Sequence, residues 1–493
     1  MDRLKKIGNV KAYASKDIKT SRVGIGFEKL DRDVFDPENA YDPVAELGVK
    51  WVRLQSGWQR TEQQPGVYSF EWLDKIVDNL LRRGLQPWLC LCYGNPLYSE
   101  RAKKVFGSVG CAPIFTEEER TAWANYVKAV VKHYHGRIEY YEVWNEPDGS
   151  WCWKHGPNGK EYGEFVIATS KAVKEADPEA KVIGGCQCCP GYHWTSEVFN
   201  TGAGKYMDAY TYHNYNLNEM SHHDFLKGLR YFMKQSNPDM ELIQGETGAQ
   251  TRRCVSGALH GAAWTERKQA KYMARHFMAN FSEDVKFASY FSSLDMAEAL
   301  GGSNDNPNSY KDYAYFGVLG AEFDENGRAT GVFRKKPAYR TLQVIASVFR
   351  EEFTVEDIPL VHYPHSEMSP GMMRLEEHAH EINRVCFRRP NGAMAMAYWR
   401  PTELMTTDYE GTCSFQGANL PSPCRLIDLY DGSIYEIPDI IKEEDENRKK
   451  YQFHAGRLYE LEDGIIERVD NFMAFKFLPI RDYPLLLTFG DFC

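Results

Sequence analysis

The stretch IEYYEVWNEP, residues 138–147, is the most informative part of the sequence for predicting the fold. It begins as an apolar and aromatic run with high β-strand propensity, and it stops at Pro147, which has no N–H for a further ladder hydrogen bond. Asn145 and Glu146 are therefore predicted at the C-terminal end of a strand. In a parallel barrel this is the end where chemistry takes place, because the loops that follow the strands meet there.

A second carboxylate ends a similar run. In MELIQGETG, residues 240–248, Glu246 comes directly after Gly245. Two glutamates at two strand ends suggest one shared site. Taken alone, each glutamate also fits a solvated or salt-bridged loop residue, which is the more common role of this residue type.

Strand-like runs alternate with helical patterns from residue 22 onward. The helix predicted over 116–136 has Thr116 as N-cap and Glu119 completing a capping box. The predicted strands cover residues 22–27, 49–55, 86–94, 138–147, 180–186, 206–215, 240–248 and 285–295. Eight such units predict an α/β fold, a (β/α)8 TIM barrel that covers residues 20–350 and closes with a helix at 335–349.

The pattern changes after Arg350 to period two with turn signals. RVCFRRPNGAMAMAYWR, residues 384–400, and CRLIDLYDGSIYEI, residues 424–437, each read as two strands about a tight turn. Residues 351–493 are therefore predicted to form a C-terminal β-sandwich domain, to which residues 8–18 could add a strand. The long segment between the eighth strand and the last barrel helix is expected to be a functional loop at the barrel mouth.

Charge and hydropathy exclude several classes of function. The chain has 59 Lys and Arg against 69 Asp and Glu, a net charge of −10, without a basic block. Nucleic acid and anionic membrane are therefore not expected partners. No run is long and apolar enough for a membrane span, and the N-terminus lacks the apolar core of a signal peptide. We expect a cytoplasmic protein, although a signal peptide that had already been removed would leave the same sequence.

The 12 cysteines fit the same compartment. Cys90 and Cys92 alternate along an apolar strand, while Cys186, Cys188 and Cys189 crowd together in GGCQCCP. Reduced thiols in the core or lining a site are favoured over a disulfide framework. A zinc site made by the three crowded cysteines and His193 is the less favoured interpretation, because no second CxxC pair exists.

The combination of WNEP at one strand end and GETG at another resembles the clan A glycoside hydrolases. In that clan the acid/base is on barrel strand four and the nucleophile on strand seven, which implies Glu146 and Glu246 respectively. VWNEPDGSWCW looks nearest to the β-xylosidase and α-L-iduronidase family, which also joins a barrel to a β-sandwich. Burial and like-charge repulsion are expected to raise the pKa of the acid, while hydrogen bonds and a cation keep the nucleophile ionised.

The resemblance implies further site residues. Arg53 in WVRLQ is similar to the strand-two arginine that keeps the nucleophile charged, and Asn145 to the asparagine that bonds the sugar 2-hydroxyl. In YHNY, His213 and Tyr215 resemble the strand-six pair, with Tyr215 donating to the nucleophile. A surface arginine and a buried histidine bonded to backbone are the structural alternatives for Arg53 and His213.

Aromatic residues after strand ends are candidate sugar platforms, and they could equally be loop core. They are Trp58, Tyr93, Trp151 and Trp153. The chain departs from the family at strand eight, where ASYFSSLD leaves Tyr290, Phe291 or no residue in the place of a tryptophan. It also lacks a histidine at the end of strand three, which reads YGNP.

The sequence thus predicts a retaining glycoside hydrolase that cleaves an equatorial glycosidic bond, of β-D or α-L type, with two carboxylates. The expected partner is an oligosaccharide, polysaccharide or glycoside substrate, and no cofactor or metal is expected. A non-catalytic glycan-binding protein on a degenerate barrel is the alternative. A metal-dependent barrel hydrolase is disfavoured, because RVGIGF carries no histidine pair. The sugar, the choice between exo and endo action, and homo-oligomer formation are left open.

Overall fold

The computed structural model describes residues 4–362, 382–437 and 473–493, together with the strands Lys442–Glu444, Tyr451–His454 and Arg457–Glu460. Parts of the predicted sandwich between these ranges lie outside the described residues. The chain divides into two compact units, one of residues 12–351 and one of residues 1–11 and 352–493. No helix in the described part of the chain is long and apolar enough to cross a membrane.

The larger unit contains a closed barrel of eight parallel strands, so the predicted TIM barrel is confirmed. The strands are Val23–Gly26 (β1), Trp51–Gln55 (β2), Gln86–Leu91 (β3), Tyr140–Val143 (β4), Lys181–Gln187 (β5), Ala209–His213 (β6), Glu241–Thr247 (β7) and Ala288–Tyr290 (β8). They pair in chain order, and β8 closes the ring against β1. Strand β8 is shorter than the predicted 285–295.

A helix follows each strand. The helices are Tyr41–Glu46 (α1), Glu71–Arg82 (α2), Glu117–His133 (α3), Gly159–Ala176 (α4), Tyr192–Asn200 (α5), His223–Ser236 (α6), Glu266–Ser282 (α7) and Pro337–Val348 (α8). The capping box predicted at α3 is present: Thr116 accepts from Glu119 N at 3.0 Å, and Glu119 Oε2 accepts from Thr116 N at 3.3 Å. Such caps satisfy N–H groups that an isolated first turn leaves unpaired.

An apolar layer supports the polar end of the barrel. It packs together Trp88, Tyr140, Ile183, Ala209, Ile243 and Phe287. The layer meets the polar residues above it where Trp88 Nε1 donates to Glu142 Oε2 at 2.8 Å. Both side chains are fully buried, so the strands that carry the site stand on a packed base.

The loop between β8 and α8 forms two short antiparallel pairs. One joins Met296–Ala297 to Tyr313–Ala314, and the other joins Leu319–Phe323 to Ala329–Lys335. A buried ion pair between Lys336 Nζ and Asp295 Oδ1, 2.7 Å long, ties the two ends of the loop together. The loop is therefore an ordered part of the larger unit.

The smaller unit contains two antiparallel sheets, as expected for a sandwich. The seven-stranded sheet has the spatial order Lys5–Asn9, Ser433–Glu436, Cys424–Asp428, Leu485–Phe489, Met394–Trp399, Asn383–Arg388, Thr354–Val355. The four-stranded sheet has the order Leu360–His362, Glu410–Gly417, Met473–Arg481, Lys442–Glu444. Strands Tyr451–His454 and Arg457–Glu460 pair with each other.

The N-terminal strand predicted within residues 8–18 is corrected to Lys5–Asn9. It pairs with Ser433–Glu436, with Gly8 opposite Ile434. The prediction missed its start because Lys5 and Lys6 are charged, and a sheet edge exposed to water accepts such residues.

Candidate active site

Glu146 and Glu246 lie together at the C-terminal end of the barrel. Glu246 is in β7, and Glu146 follows β4 by three residues. One carboxylate oxygen of each lies within 4.8 Å of the other and of a ring nitrogen of His213, at the end of β6. The strand-end argument thus brings the two carboxyl groups to one place.

The backbone after β4 bends sharply. Trp144 and Glu146 have φ of 71° and 44°, in the left-handed region that residues with a β carbon rarely adopt. Trp144 is held there by its indole, since Nε1 donates to Cys152 O at 2.7 Å. Backbone in this region occurs often at functional sites, where the surrounding structure imposes it. Here it sets the direction of the Glu146 side chain.

Arg53, in β2, connects the carboxylates of the site. Its Nε and Nη2 make a bidentate pair with Glu142 at 2.9 and 2.7 Å, and its Nη1 donates to Glu246 Oε2 at 2.6 Å. Nη2 also donates to Asn145 Oδ1 at 2.9 Å, which fixes that side chain. Arg53 is fully buried, so the surface alternative for this residue is excluded. A buried guanidinium of this kind strongly favours an ionised carboxylate beside it.

Glu142 is a charged residue inside the apolar strand β4. Burial alone would favour its neutral form, but the charge of Arg53 and its two hydrogen bonds lower the pKa of Glu142 below the ordinary value. The pair therefore holds Arg53 rigidly with its third nitrogen facing Glu246. Sequence analysis missed Glu142, although a lone acid in a buried strand is itself a signal of a paired cation.

Tyr215 donates its hydroxyl to Glu246 Oε1 at 2.5 Å. Burial and the nearby carboxylates of Glu246 and Glu146 raise the pKa of Tyr215 well above its ordinary value, so the phenol is a donor at neutral pH. Glu246 is thus held by Arg53 on one oxygen and by Tyr215 on the other. Its carboxylate is oriented before any substrate binds.

His213 bonds to Glu146 rather than to backbone, with Nδ1 at 2.9 Å from Oε1. Burial opposes a charged imidazole, but the carboxylates of Glu246 and Glu146 raise the pKa of His213 above its ordinary value. Burial also opposes a charged Glu146, yet hydrogen bonds from His213 and from Trp151 Nε1 lower the pKa of Glu146. The expectation of a raised Glu146 pKa is therefore not met, because the hydrogen bonds from His213 and Trp151 shift it in the opposite direction.

Glu28, two residues beyond β1, is an acid of the site with a raised pKa. Burial raises the pKa of Glu28 to about 8. The negative charge of Glu246 also raises this pKa, whereas the positive charge of Arg53 lowers it. Its Oε1 is 3.5 Å from Arg53 Nη1, and its Oε2 has no hydrogen-bond partner among the described residues. A β carbon at Gly26 would lie only 2.1 Å from Oε2, so this glycine leaves the space for the carboxyl group. Sequence analysis missed Glu28, whose signal is its place at the end of a barrel strand.

Two of the four candidate aromatic platforms lie at or beside the site. Trp151 is 40% exposed and donates its indole N–H to Glu146. Tyr93 is buried at the end of β3, accepts from Gln55 Nε2 at 3.2 Å, and lines a neighbouring cavity. Trp151 therefore offers a ring face next to a candidate catalytic carboxylate.

The other two candidates belong to the core, which corrects the prediction. Trp58 is fully buried, stacked against Tyr98 and Tyr126. Trp153 is also fully buried and packs edge-on against Trp144. Burial of both rings favours the core role over a sugar platform, although Trp58 also lines a neighbouring cavity.

At the end of β8, Phe291 rather than Tyr290 faces the site. Phe291 and Phe316 form an apolar cluster against which Tyr215 packs. Tyr290 is fully buried, and its hydroxyl donates to Ala249 O at 3.2 Å. Lys29 Nζ lies 5.1 Å from the centre of the Phe291 ring. Phenylalanine thus stands where the family pattern has tryptophan.

A cavity of about 460 Å³ lies beside the carboxylates. Its lining includes Tyr93, Asn95, Arg32 and Arg60 but neither Glu146 nor Glu246. The volume is in the range of small-ligand sites, and the wall carries both apolar and charged side chains. The cavity therefore does not enclose the two candidate catalytic glutamates.

The zinc ligand set considered from the sequence does not form. Cys186 is buried, with Sγ 3.5 Å from Val143 O, while the His193 side chain is 87% exposed and pairs with Glu197. Cys188 and Cys189 point elsewhere, toward Asp148. The four predicted ligands therefore do not converge.

The arrangement can deliver a proton and a nucleophile to one sugar ring. Glu246 is an oriented carboxylate, and Glu146 shares a proton with His213 within a few ångströms of it. Carboxyl groups at this separation match the closely spaced pair of retaining glycosidases, whereas inverting enzymes keep theirs about 6.5–9.5 Å apart to admit a water.

Part of the chain is similar in sequence to known glycoside hydrolases. Residues 44–254 match the family model described as glycosyl hydrolases family 39. A β-xylosidase of Geobacillus stearothermophilus is 29% identical over 140 residues, 27% of each chain. A β-xylosidase of Caldicellulosiruptor saccharolyticus is 26% identical over 189 residues, 34% of this chain and 37% of the relative. The matches thus span well under half the length of these two relatives.

Solved structures share the fold. A family 39 glycoside hydrolase from Bacteroides cellulosilyticus WH2 aligns with a TM-score of 0.62 and 16% identity over 95% of this chain and 81% of that one. A family 39 β-xylosidase from Caulobacter crescentus aligns with a TM-score of 0.54 and 15% identity over 97% of this chain and 98% of that one. The resemblance to clan A glycoside hydrolases, nearest to the β-xylosidase family, is confirmed by the family match and the curated relatives.

Proposed function

We propose that the chain, with its family 39 resemblance, is a retaining glycoside hydrolase that cleaves an equatorial glycosidic bond by double displacement. Glu246 is the nucleophile and Glu146 the acid/base. The observation that carries the proposal is the pair itself, with carboxylate oxygens within 4.8 Å of each other. That spacing leaves no room for the water that an inverting mechanism places between the general base and the anomeric carbon.

In the first step Glu246 attacks the anomeric carbon while Glu146 protonates the leaving oxygen. Hydrogen bonds from Arg53 and Tyr215 hold the Glu246 carboxylate in position. The proton comes from the pair that His213 and Glu146 form, since transfer across their 2.9 Å hydrogen bond leaves neutral imidazole and a protonated carboxyl group. The products are a glycosyl ester on Glu246 and the released alcohol.

In the second step a water replaces the alcohol. Glu146, now ionised, removes its proton as the water attacks the anomeric carbon and the ester bond to Glu246 breaks. The sugar leaves with its original configuration, and the proton returns to the His213–Glu146 pair. Asn145, held by Arg53, is placed to bond the sugar 2-hydroxyl, a contact that strengthens toward the transition state.

The substrate we propose first is a β-D-xyloside. This rests on the two curated relatives, both β-xylosidases. The 460 Å³ cavity beside the pair would accept a further sugar unit or the leaving group, and its arginines favour a polar one. In this proposal residues 20–350 are the catalytic domain, 351–493 form an accessory domain, and the chain works in the cytoplasm, where its free thiols stay reduced.

Two measurements test the function. The first is a panel of aryl glycosides of xylose, glucose, galactose, arabinose and fucose, on which we expect the β-xyloside to be cleaved fastest. The second is proton NMR of the first sugar product, which should be the β anomer before mutarotation. An α first product would reject the retaining mechanism, and intact glycan binding without any hydrolysis would favour the non-catalytic alternative.

A further inference from the structure

A carboxylate and two thiols meet at the barrel mouth, outside the catalytic pair. Asp148 lies in the loop after β4, and Cys188 and Cys189 follow directly after β5. Their candidate ligand atoms all lie within 4.8 Å of one another. None of the three has a part in the proposed double displacement.

Hydrogen bonds fix the relative position of these side chains. Asp148 Oδ1 accepts from Cys188 N at 3.0 Å and from Cys188 Sγ at 3.3 Å, and Oδ2 accepts from Cys189 N at 2.7 Å. Behind them, Gln187 Nε2 donates to Cys189 O at 2.7 Å, and Thr195 Oγ1 donates to Gln187 Oε1 at 2.9 Å. Hydrogen bonds on both sides therefore hold the loop after β5 in place, with the sulfurs of Cys188 and Cys189 near Asp148.

The distances match those between ligands of a tetrahedral metal. With zinc–sulfur bonds of about 2.3 Å, two sulfurs of a tetrahedral site are about 3.8 Å apart. A sulfur and a carboxylate oxygen are about 3.5 Å apart for a zinc–oxygen bond of about 2.0 Å. Here the sulfurs of Cys188 and Cys189 are 3.6 Å apart, and Cys188 Sγ is 3.3 Å from Asp148 Oδ1. These two distances need shifts of only about a few tenths of an ångström to fit an ion, and the ligand atom of Asp148 lies within 4.8 Å of Cys189 Sγ.

A cation can reach these groups from solvent. Cys189 is exposed, and Asp148 and Cys188 are partly exposed, in contrast to the buried Cys186 next to them. Two thiolates and one carboxylate leave one position of a tetrahedron for water. Thiolate ligands select soft ions such as Zn²⁺ over Mg²⁺ or Ca²⁺.

We propose that Asp148, Cys188 and Cys189 form a three-ligand site for a soft divalent cation at the barrel mouth. Binding joins the ion to two sulfurs and one oxygen, and the protons that the thiols carry are released to solvent. The fourth ligand is water. The site is separate from the catalytic pair, and binding does not depend on the proposed hydrolysis.

Cobalt titration of the reduced full-length protein tests the site. Co²⁺ bound to two thiolates in a tetrahedron gives a thiolate-to-cobalt charge-transfer band and strong visible bands, which Zn²⁺ should abolish by displacement. We expect saturation at one equivalent. Cys188→Ser and Cys189→Ser should each weaken Zn²⁺ binding by more than about 100-fold, beyond the loss caused by outer-shell partners, and Asp148→Asn should weaken it as well.

Two matched controls should bind as the wild type does. Cys493→Ser removes an exposed thiol elsewhere, and Glu246→Gln changes the other group of side chains that could hold an ion, Glu146, His213 and Glu246. A measurement that needs no variant is alkylation mapping by mass spectrometry, in which Zn²⁺ should protect Cys188 and Cys189 but not Cys493. Cobalt spectra without thiolate bands, bands that persist in the Cys188→Ser/Cys189→Ser double variant, or equal alkylation with and without Zn²⁺ would each overturn the proposal.

Discussion

Arg53 Nη1 donates to Glu246 Oε2 at 2.6 Å, and this contact joins the second barrel strand to the seventh. The other nitrogens of the same guanidinium are held by Glu142 and Asn145. Glu246, the proposed nucleophile, is thus oriented by a guanidinium whose own position is fixed by these hydrogen bonds. The position of the Glu246 carboxylate therefore depends on Arg53 together with Tyr215.

Arg53→Lys should lower kcat/KM by at least about 100-fold, because an ammonium cannot make the bidentate pair and reach Glu246 at once. It should also lower the free energy of unfolding by about 3–5 kcal/mol, the range for breaking a buried pair. Urea unfolding and steady-state kinetics measure both. Arg83→Lys, whose partner Asp42 is 76% exposed, is the control and should change neither. Wild-type kinetics in Arg53→Lys would exclude the role given to Arg53.

Tyr215→Phe removes one hydrogen bond to the Glu246 carboxylate. Such bonds contribute about 1.5–3 kcal/mol, so kcat/KM should fall by about 10- to 150-fold with the fold intact. Tyr290→Phe is the matched control, since that hydroxyl bonds backbone atoms of Ala249 rather than Glu246. Equal losses in both variants would point to packing rather than to the nucleophile.

The pH dependence of kcat/KM should be bell-shaped, because one carboxyl group must be ionised and the other protonated. In His213→Asn the basic limb should move to lower pH, because in the proposed mechanism the shared proton resides on His213, whose pKa the carboxylates of Glu246 and Glu146 raise in the wild type. His222→Asn, at a buried histidine whose pKa burial lowers to about 4, should leave both limbs in place. A basic limb that stays or moves up in His213→Asn would exclude the shared proton.

Glu28 links stability to pH. Its pKa rises on folding from 4.5 to about 8, so between these values the folded chain holds a proton that the unfolded chain releases. Stability should therefore fall as pH rises from 5 to 8, by roughly 1.4 kcal/mol per unit of pKa difference at most. Urea unfolding of Glu28→Gln should show a weaker fall than the wild type, while the exposed Glu175→Gln should behave as the wild type. Equal pH dependence in Glu28→Gln and wild type would reject a protonated Glu28.

The barrel was predictable from sequence because strand and helix periods alternate clearly and eight times. Glu146 and Glu246 were predictable too, since a parallel barrel brings all strand ends to one face. Glu28 and Glu142 were not found, because their roles depend on burial around Arg53, which strand patterns do not reveal. Trp58 and Trp153 were predicted as candidate sugar platforms but are buried. A tryptophan after a strand gives the same sequence pattern whether its ring faces a ligand or the core.

The two glutamates can be told apart by their leaving-group dependence. Glu146→Ala removes only proton transfer, so a dinitrophenyl glycoside, which leaves without an acid, should still form the glycosyl-enzyme and give a burst. Glu246→Ala removes the nucleophile and should be slower by several orders of magnitude on every substrate. A Glu146→Ala variant equally inactive on activated and unactivated substrates would contradict its role.

The most direct measurement of the double displacement is the anomer of the azide product. Azide needs no base, so with Glu146→Ala it should restore turnover of the dinitrophenyl glycoside and give a glycosyl azide of retained configuration. With Glu246→Ala azide can attack only from the vacated face, and NMR should show the inverted azide. The same anomer from both variants would contradict the assignment of Glu246 as nucleophile and Glu146 as acid/base.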